Sequence, residues 1–440
     1  MSISKTLEIQ RKFFNSNATK DLEFRLENLK KLNQLLETNE SEILHALYED
    51  LNKSSFEAYV TEMGIVKEEL ALTIKNLPMW IKRRRVRTPI TQFPSSSFIY
   101  SEPYGVSLII SPWNYPLQLA LIPLIASLAA GNCSILKLSQ KSKSTTDILT
   151  KMINENFDER LIYIVNSEEI SNEELLKEKY DYIFFTGSTK VGKIVMEAAA
   201  KHLTPLTLEL GGKSPCIVDE SANISLAGKT LAWAKFVNAG QTCVAPDYVL
   251  AHEKIVDKLI EEIRRNLFSF YGTDVLNNPE YPKIITTEHF ERLIDLTKEG
   301  KKEFGGNSNF HIQKIEPTIL SEITWDSKIM EEEIFGPILP IIKYDNLDII
   351  IEKIKSRPKP LALYLFSENK ITKERIKNEI SYGSGCINDA LMQLANANLP
   401  FGGVGNSGIG KYHGKFSFDT FSNKKSIVEK PSFLDTPLRY

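Results

Sequence analysis

From residue 98 onward, short β-rich runs alternate with helical patterns, and this alternation limits the fold more than any other feature of the chain. SLIISPW (107–113), CSILKL (133–138), LIYIVN (161–166) and YDYIFFTG (180–187) read as strands, each followed by a helical segment. One of these helices is the apolar one after Pro116, and another opens at Ser144. Parallel strands need crossovers, and the crossover helices cover both faces of the sheet, so the strands become continuous apolar runs. The pattern therefore predicts βαβ units and a parallel, doubly wound sheet. A second series starts near LTLELGG (206–212) and includes DYVLAH, the long helix from Lys254, LALYLFS and SGCIND. It reads as a second α/β unit.

The flanks differ. Leu29, Leu32 and Leu36 recur at helical spacing, and Ser41 followed by Ile43, Leu44 and Leu47 reads as a second capped helix. IKRRRVR (81–87) reads as a solvated helix end, and TPITQFPSSS after it as a linker. The tail from LPFGGVGNSG is glycine-rich, then charged and strand-like. A formal net charge of −2 gives no global electrostatic case for nucleic acid or an anionic membrane. Neither the four cysteines nor the six histidines have zinc-ligand spacing, so no metal is expected. The first residues lack the apolar core of a secretory signal. The longest apolar stretch, 117–130, is too short to span a bilayer. A reducing cytoplasm with free thiols is the expected setting.

Two local features point to chemistry. In FFTGSTKVGKIV (184–195), glycines stand between a strand and a helix, where backbone N–H groups form an anion site. Gly187 to Lys193 matches GxxxxGK, but Ile194 replaces the hydroxyl that a P-loop places on magnesium, which disfavours an ATPase. GxGxxG is absent as well. The second feature is GQTCVAP (240–246). Cys243 lies in a polar loop after a helical segment ending near Asn238, whereas Cys133, Cys216 and Cys386 lie in or beside apolar strand-like runs. Packing, redox sensing and nucleophilic chemistry are all open to such a cysteine.

PWNYP (112–116), LTLELGGKSP (206–215), GQTCVAP, EEEIFGPILP (331–340) and LPFGGVGNSG (399–408), in this order, resemble the NAD(P)-dependent aldehyde dehydrogenases. HLTPLTLELGGKSP and KYHGKFSFDTFS are most similar to the class 3 branch. The resemblance implies an aldehyde dehydrogenase-like α/β fold of two doubly wound domains, one Rossmann-like for cofactor and one catalytic, plus a β bridging element. The cofactor domain is expected over 1–87 and 104–208 and the catalytic domain over 209–398. Segments 88–103 and 399–440 are expected to bridge subunits of a homodimer.

By the same resemblance, Cys243 is the nucleophile that attacks the aldehyde carbonyl to give a thiohemiacetal. Asn114 and the Cys243 N–H stabilise the oxyanion, a duty in which one lost donor typically costs ~3–4 kcal/mol. Glu209 is the general base that activates water against the Cys243 thioester; a carboxylate ending an apolar strand suits this, because burial lifts its pKa. Gly187, Ser188 and Gly192 belong to the cofactor loop, Glu333 and Phe335 hold the nicotinamide ribose, and Lys137 binds the adenosine ribose. The family's KPSE reads KLSQ here (137–140). Gln140 removes a charge that would repel a 2′-phosphate and adds a donor, so NADP is expected alongside NAD. Tyr115, Trp233, Thr242 and Tyr412 are placed near the substrate funnel, whose aromatic walls suit aromatic or medium-to-long aliphatic aldehydes. QLANANLP (393–400) departs from the animal-branch pattern. The chain stops at DTPLRY without the hydrophobic tail of some class 3 relatives, so a soluble protein is expected. Alternative readings are an acylating or semialdehyde-specific dehydrogenase and a non-catalytic binding protein.

Overall fold

The computed structural model describes residues 2–433; the DTPLRY ending lies outside them. Three larger sheets organise the described residues, beside a two-stranded ribbon of Ser308–Asn309 and Lys314–Ile315. In the first, the order is Gly408–Ile409, Leu206–Leu210, Tyr182–Gly187, Val106–Ile110, Cys133–Lys137, Ile162–Ile164. All neighbours are parallel except the glycine-rich edge strand, which sets Gly408 against Glu209. Every residue of Val106–Ile110 and Cys133–Lys137 is buried, as expected for strands covered on both faces. The chain starts at the central strand, winds out to Ile162–Ile164, then returns to Tyr182–Gly187 on the other side. That reversal makes a switch-point crevice at the carboxyl ends of Val106–Ile110 and Tyr182–Gly187, where doubly wound sheets bind ligands.

The second sheet runs Lys301–Phe304, Thr318–Ser321, Ile338–Tyr344, Tyr248–His252, Pro215–Val218, Ala362–Phe366, Ser384–Ile387, parallel except for its first strand. Leu206–Leu210 is the last parallel strand of the first sheet rather than the opening of the second series. Only 211–214 separate its end from the start of Pro215–Val218 in the second sheet. The carboxyl edge of one sheet is thereby tied to the amino edge of the other, and the site forms along this junction.

The third sheet is antiparallel, Arg84–Val86 with Ser96–Pro103 and Ser96–Pro103 with Ser422–Glu429. The arginine run therefore differs from the sequence reading. The helix Gly64–Trp80 has ended before it, and Arg84–Val86 is an edge strand whose charges discourage further pairing. Helix Gln118–Ala130 is buried along its whole length, despite Pro123. No helix among the described residues is long and apolar enough to cross a membrane, and none of their His, Cys, Asp and Glu side chains cluster as a metal site.

Candidate active site

Strand Val106–Ile110 delivers the proline-bounded turn 112–116 to the sheet junction. Asn114 is buried there, and its amide Nδ2 donates to the carbonyl of Gln241 at 3.0 Å. The Tyr115 hydroxyl lies 2.6 Å from Thr242 Oγ1, so the turn and the GQTC loop are joined at two points. Gln241 fixes the loop from behind: its Nε2 donates to the Lys283 carbonyl at 3.0 Å and its Oε1 accepts from Ile285 N–H at 3.1 Å. Helix Ile224–Phe236 is followed by Asn238, Ala239 and Gly240, all with φ between 49° and 71°. This left-handed run turns the chain sharply toward Cys243. A Cβ on Gly240 would meet the Gly336 carbonyl oxygen at 2.3 Å, so the GQTC and EEEIFGP loops touch through their backbones.

Around Cys243 the electrostatics are negative and dry. Cys243 as a residue is half-buried, with protein around it on most sides. Burial pushes its pKa up to about 12, reinforced by Glu333 and then Glu209, against the backbone N–H groups of Cys243 and Val244. Glu209, fourth residue of its strand, is 3% exposed, and neither carboxylate oxygen has a hydrogen-bond partner among the described residues. Burial raises its pKa well above the usual carboxylate range, with only Lys411 opposing. Burial and Asp247 raise Glu333 to about 8, against the Gly212 N–H, Lys213 and Lys235. A Cβ on Gly211 would lie 2.0 Å from Glu333 Oε2, so the Glu333 carboxylate rests against bare backbone.

Asp247 fastens the loop that carries Glu333. Its Oδ1 accepts from Ile334 N–H at 2.9 Å, and its Oδ2 takes the Lys213 ammonium at 2.5 Å. Lys213 also donates to the carbonyls of Ile329 and Glu332, at 2.9 and 2.8 Å. Phe335 has φ 51°, and its ring meets Trp113 nearly edge-on at 5.4 Å.

Along the carboxyl edge of the first sheet, Gly187 closes its strand and Ser188 caps helix Thr189–Ala200, accepting from Val191 N–H at 3.4 Å. That helix N-terminus favours an anion. Gly192 serves packing: a Cβ there would sit 2.6 Å from Leu210 Cδ2. Lys137 is buried, donates to the Ser167 carbonyl at 3.3 Å and has its pKa lowered by burial. Gln140 donates to the same carbonyl and borders a cavity of about 360 Å³ shared with Thr146, Asn166 and Ser167. An open helix N-terminus, a buried lysine with one long bond and a carboxylate laid over glycine fit an extended dinucleotide.

Tyr412 is fully buried, with its ring 5.1 Å from Phe184; burial, and after it Glu209 and Cys243, raise its pKa. Trp233 stands apart, 38% exposed on helix Ile224–Phe236. The sequence reading missed Asn238, Gln241, Asp247 and Lys213, although all four lie inside or beside the quoted motifs. It also missed Lys53 and Glu62, which sit behind Asn114 and belong to no motif.

The fold is that of a cofactor-dependent oxidoreductase. The family model "Aldehyde dehydrogenase family" matches residues 2–427, and the chain belongs to that family. It is an aldehyde dehydrogenase, an oxidoreductase acting on the aldehyde group. It is 49% identical over 426 residues to 4,4'-diaponeurosporen-aldehyde dehydrogenase of Staphylococcus aureus, covering 96% of this chain and 93% of the relative. The rat protein named aldehyde dehydrogenase, dimeric NADP-preferring, is 44% identical, covering 98% of this chain and 95% of its own. Among solved structures, the substrate-bound state of Staphylococcus aureus AldH superposes with a TM-score of 0.97 at 48% identity, covering 99% of this chain and 96% of the other.

Proposed function

We propose that the protein oxidises apolar aldehydes, aromatic or medium-to-long aliphatic, to carboxylic acids through an acyl intermediate on Cys243. The observation that carries this reading is Glu209: a buried carboxylate with neither oxygen partnered among the described residues, whose charge adds to burial and Glu333 in raising the Cys243 pKa. Cys243 releases its thiol proton to water, and the thiolate attacks the carbonyl carbon. The Asn114 amide, which uses one of its two N–H bonds on Gln241, offers the other to the developing oxyanion together with the Cys243 N–H. Bound at the carboxyl edge of the first sheet, NAD or NADP supplies the acceptor for the aldehydic hydride. Gly187 and Ser188 would hold its phosphates, with Gly192 packing their helix close. Lys137 and Gln140 would hold the adenosine ribose, and Glu333 and Phe335 the nicotinamide end. Glu209 then takes a proton from water that attacks the Cys243 thioester, which releases the acid and restores the thiol.

Tyr115, Thr242 and Tyr412, buried beside the GQTC loop and Glu209, would line the inner end of the substrate funnel, with Trp233 further out. Gln140 in place of the family acid supports use of NADP as well as NAD. We assign the cofactor domain to 1–83 and 104–210, the catalytic domain to 211–398 and a bridging role in a cytoplasmic homodimer to the third sheet, because Leu206–Leu210 pairs within the first sheet and Arg84–Val86 within the third. The test is Cys243→Ala with aldehydes of increasing chain length and either cofactor. Loss of cofactor reduction, with cofactor binding intact, is expected; residual turnover within tenfold of wild type would refute the thiol mechanism.

A further inference from the structure

Behind the Asn114 turn lies a buried ion pair that the chemistry above does not use. Lys53 Nζ bonds Glu62 Oε1 at 2.6 Å, and both side chains are fully buried. Each partner also reaches the turn. Lys53 Nζ donates to the Asn114 carbonyl at 3.0 Å and sits 4.1 Å from the centre of the Tyr115 ring. Glu62 Oε2 accepts the N–H groups of Leu117 at 2.9 Å and Gln118 at 3.3 Å. The Asn114 carbonyl takes a second bond, 2.8 Å, from Asn238 Nδ2. That same nitrogen lies 3.2 Å from the Gln241 carbonyl, which also receives the Asn114 amide. Glu57 Oε1 holds the Asn238 N–H at 2.8 Å. Asn114 is thus fixed at both its carbonyl and its side chain within a closed ring of hydrogen bonds.

Lys53 follows helix Glu40–Leu51, and Glu62 sits in the π-helical turn Tyr59–Met63. Such turns are rare and tend to mark functional positions. A buried ion pair is an inefficient source of stability, since apolar residues of similar volume often do as well or better. Its distinctive effect here is geometric. It anchors residues 114, 115, 117 and 118 from behind and so fixes the direction of the Asn114 amide.

We infer that Lys53 and Glu62 are positioning residues for the oxidation, acting through Asn114. The inference rests on Asn114 being the oxyanion donor. A donor must sit about 2.7–3.1 Å from the oxyanion, and a displacement of roughly 1 Å can cost about 10²-fold in rate.

The test compares the full-length wild type with Asn114→Ala, with the paired change Lys53→Met/Glu62→Leu, and with all three changes together. Rates with one aldehyde, cofactor affinity and melting temperature are measured for each. Asn114→Ala is expected to lose about 10²–10³-fold in kcat. The paired change is expected to leave cofactor affinity within about twofold and to lower kcat on the order of 10–10²-fold. In the triple variant the losses should not multiply: it should lie within about threefold of Asn114→Ala, because the pair is inferred to reach the reaction through that amide rather than through the Tyr115 ring it also touches. Losses that multiply, or a paired variant with wild-type kcat, overturn the inference. Wild-type rates in Asn114→Ala alone would instead refute the oxyanion reading, and this inference with it. Should the paired variant fail to fold, Glu62→Gln, which keeps an acceptor for the two N–H groups, is put through the same cycle with the same criterion.

Discussion

Glu209→Gln separates the two costs and benefits of a buried base in one variant. The substitution keeps size and most polarity but removes ionisation. Burial raises the folded-state pKa of Glu209, and Lys411 is the only group that opposes the shift. Between the unfolded pKa of about 4.3 and the raised folded pKa, the folded chain holds a proton that the unfolded chain has released. Stability contributed by this group is therefore complete below about pH 4.3. It falls by about 1.4 kcal/mol per pH unit across that window and is flat above it. Glutamine has no such dependence, so Glu209→Gln should match wild type near pH 4 and exceed it increasingly as pH rises. Catalysis should move the other way. Removal of a general base typically costs about 10²–10⁴-fold, here in hydrolysis of the Cys243 thioester. Rapid mixing with aldehyde should still release about one equivalent of reduced cofactor per site, followed by a steady state slowed by that factor. Denaturant unfolding from pH 4 to pH 9 and burst kinetics on the same preparations give both readings. A stability difference independent of pH, or a steady-state rate within threefold of wild type, would refute the reasoning. Loss of the burst would mean that Glu209 serves the first half of the reaction instead.

Restoring the family acid with Gln140→Glu should shift preference toward NAD by about tenfold, read as the ratio of kcat/KM for the two cofactors and as relative binding of 2′,5′-ADP and 5′-AMP. An unchanged ratio would remove Gln140 from cofactor choice. Gly211→Ala puts a methyl group where Glu333 Oε2 lies at 2.0 Å, so the carboxylate must move; cofactor KM should rise several-fold with little change in melting temperature. Gly240→Ala combines φ 71° with a 2.3 Å approach to the Gly336 oxygen, neither of which side-chain motion can relieve. It should destabilise the fold by on the order of 2–3 kcal/mol and impair Cys243 chemistry together, seen by thermal melting and turnover.

What could be read from the chain follows the range of the forces involved. Val106–Ile110 and Ala362–Phe366 announce themselves because burial on both faces demands continuous apolar runs, a signal contained within each segment. Pro215–Val218 and Thr318–Ser321 are just as buried but only four residues long, too short to stand out from their flanks. Leu206–Leu210 was readable as a strand, yet its membership in the first sheet depends on its parallel pairing with Tyr182–Gly187, which no local pattern records. The arginine run shows the converse. Its charges mark it as exposed, and exposure is common to a frayed helix end and a protected edge strand; pairing with Ser96–Pro103 decides between them.

The same distinction explains the site. Cys243, Glu209, Asn114 and Glu333 lie in motifs because each sits on a loop or strand end whose neighbours are glycine, proline or a particular polar residue. Lys53 and Glu62 work through the backbone of a turn more than fifty residues away in sequence, and their own neighbours face no such demand. A lysine and a glutamate nine residues apart on a charged helical segment read as solvated surface, the usual state of both residue types. Only the fold reveals that both are fully buried and directed at the Asn114 turn. The side chains proposed to touch the substrate are therefore the legible part of such an enzyme, and those that fix their direction become visible only through three-dimensional contacts.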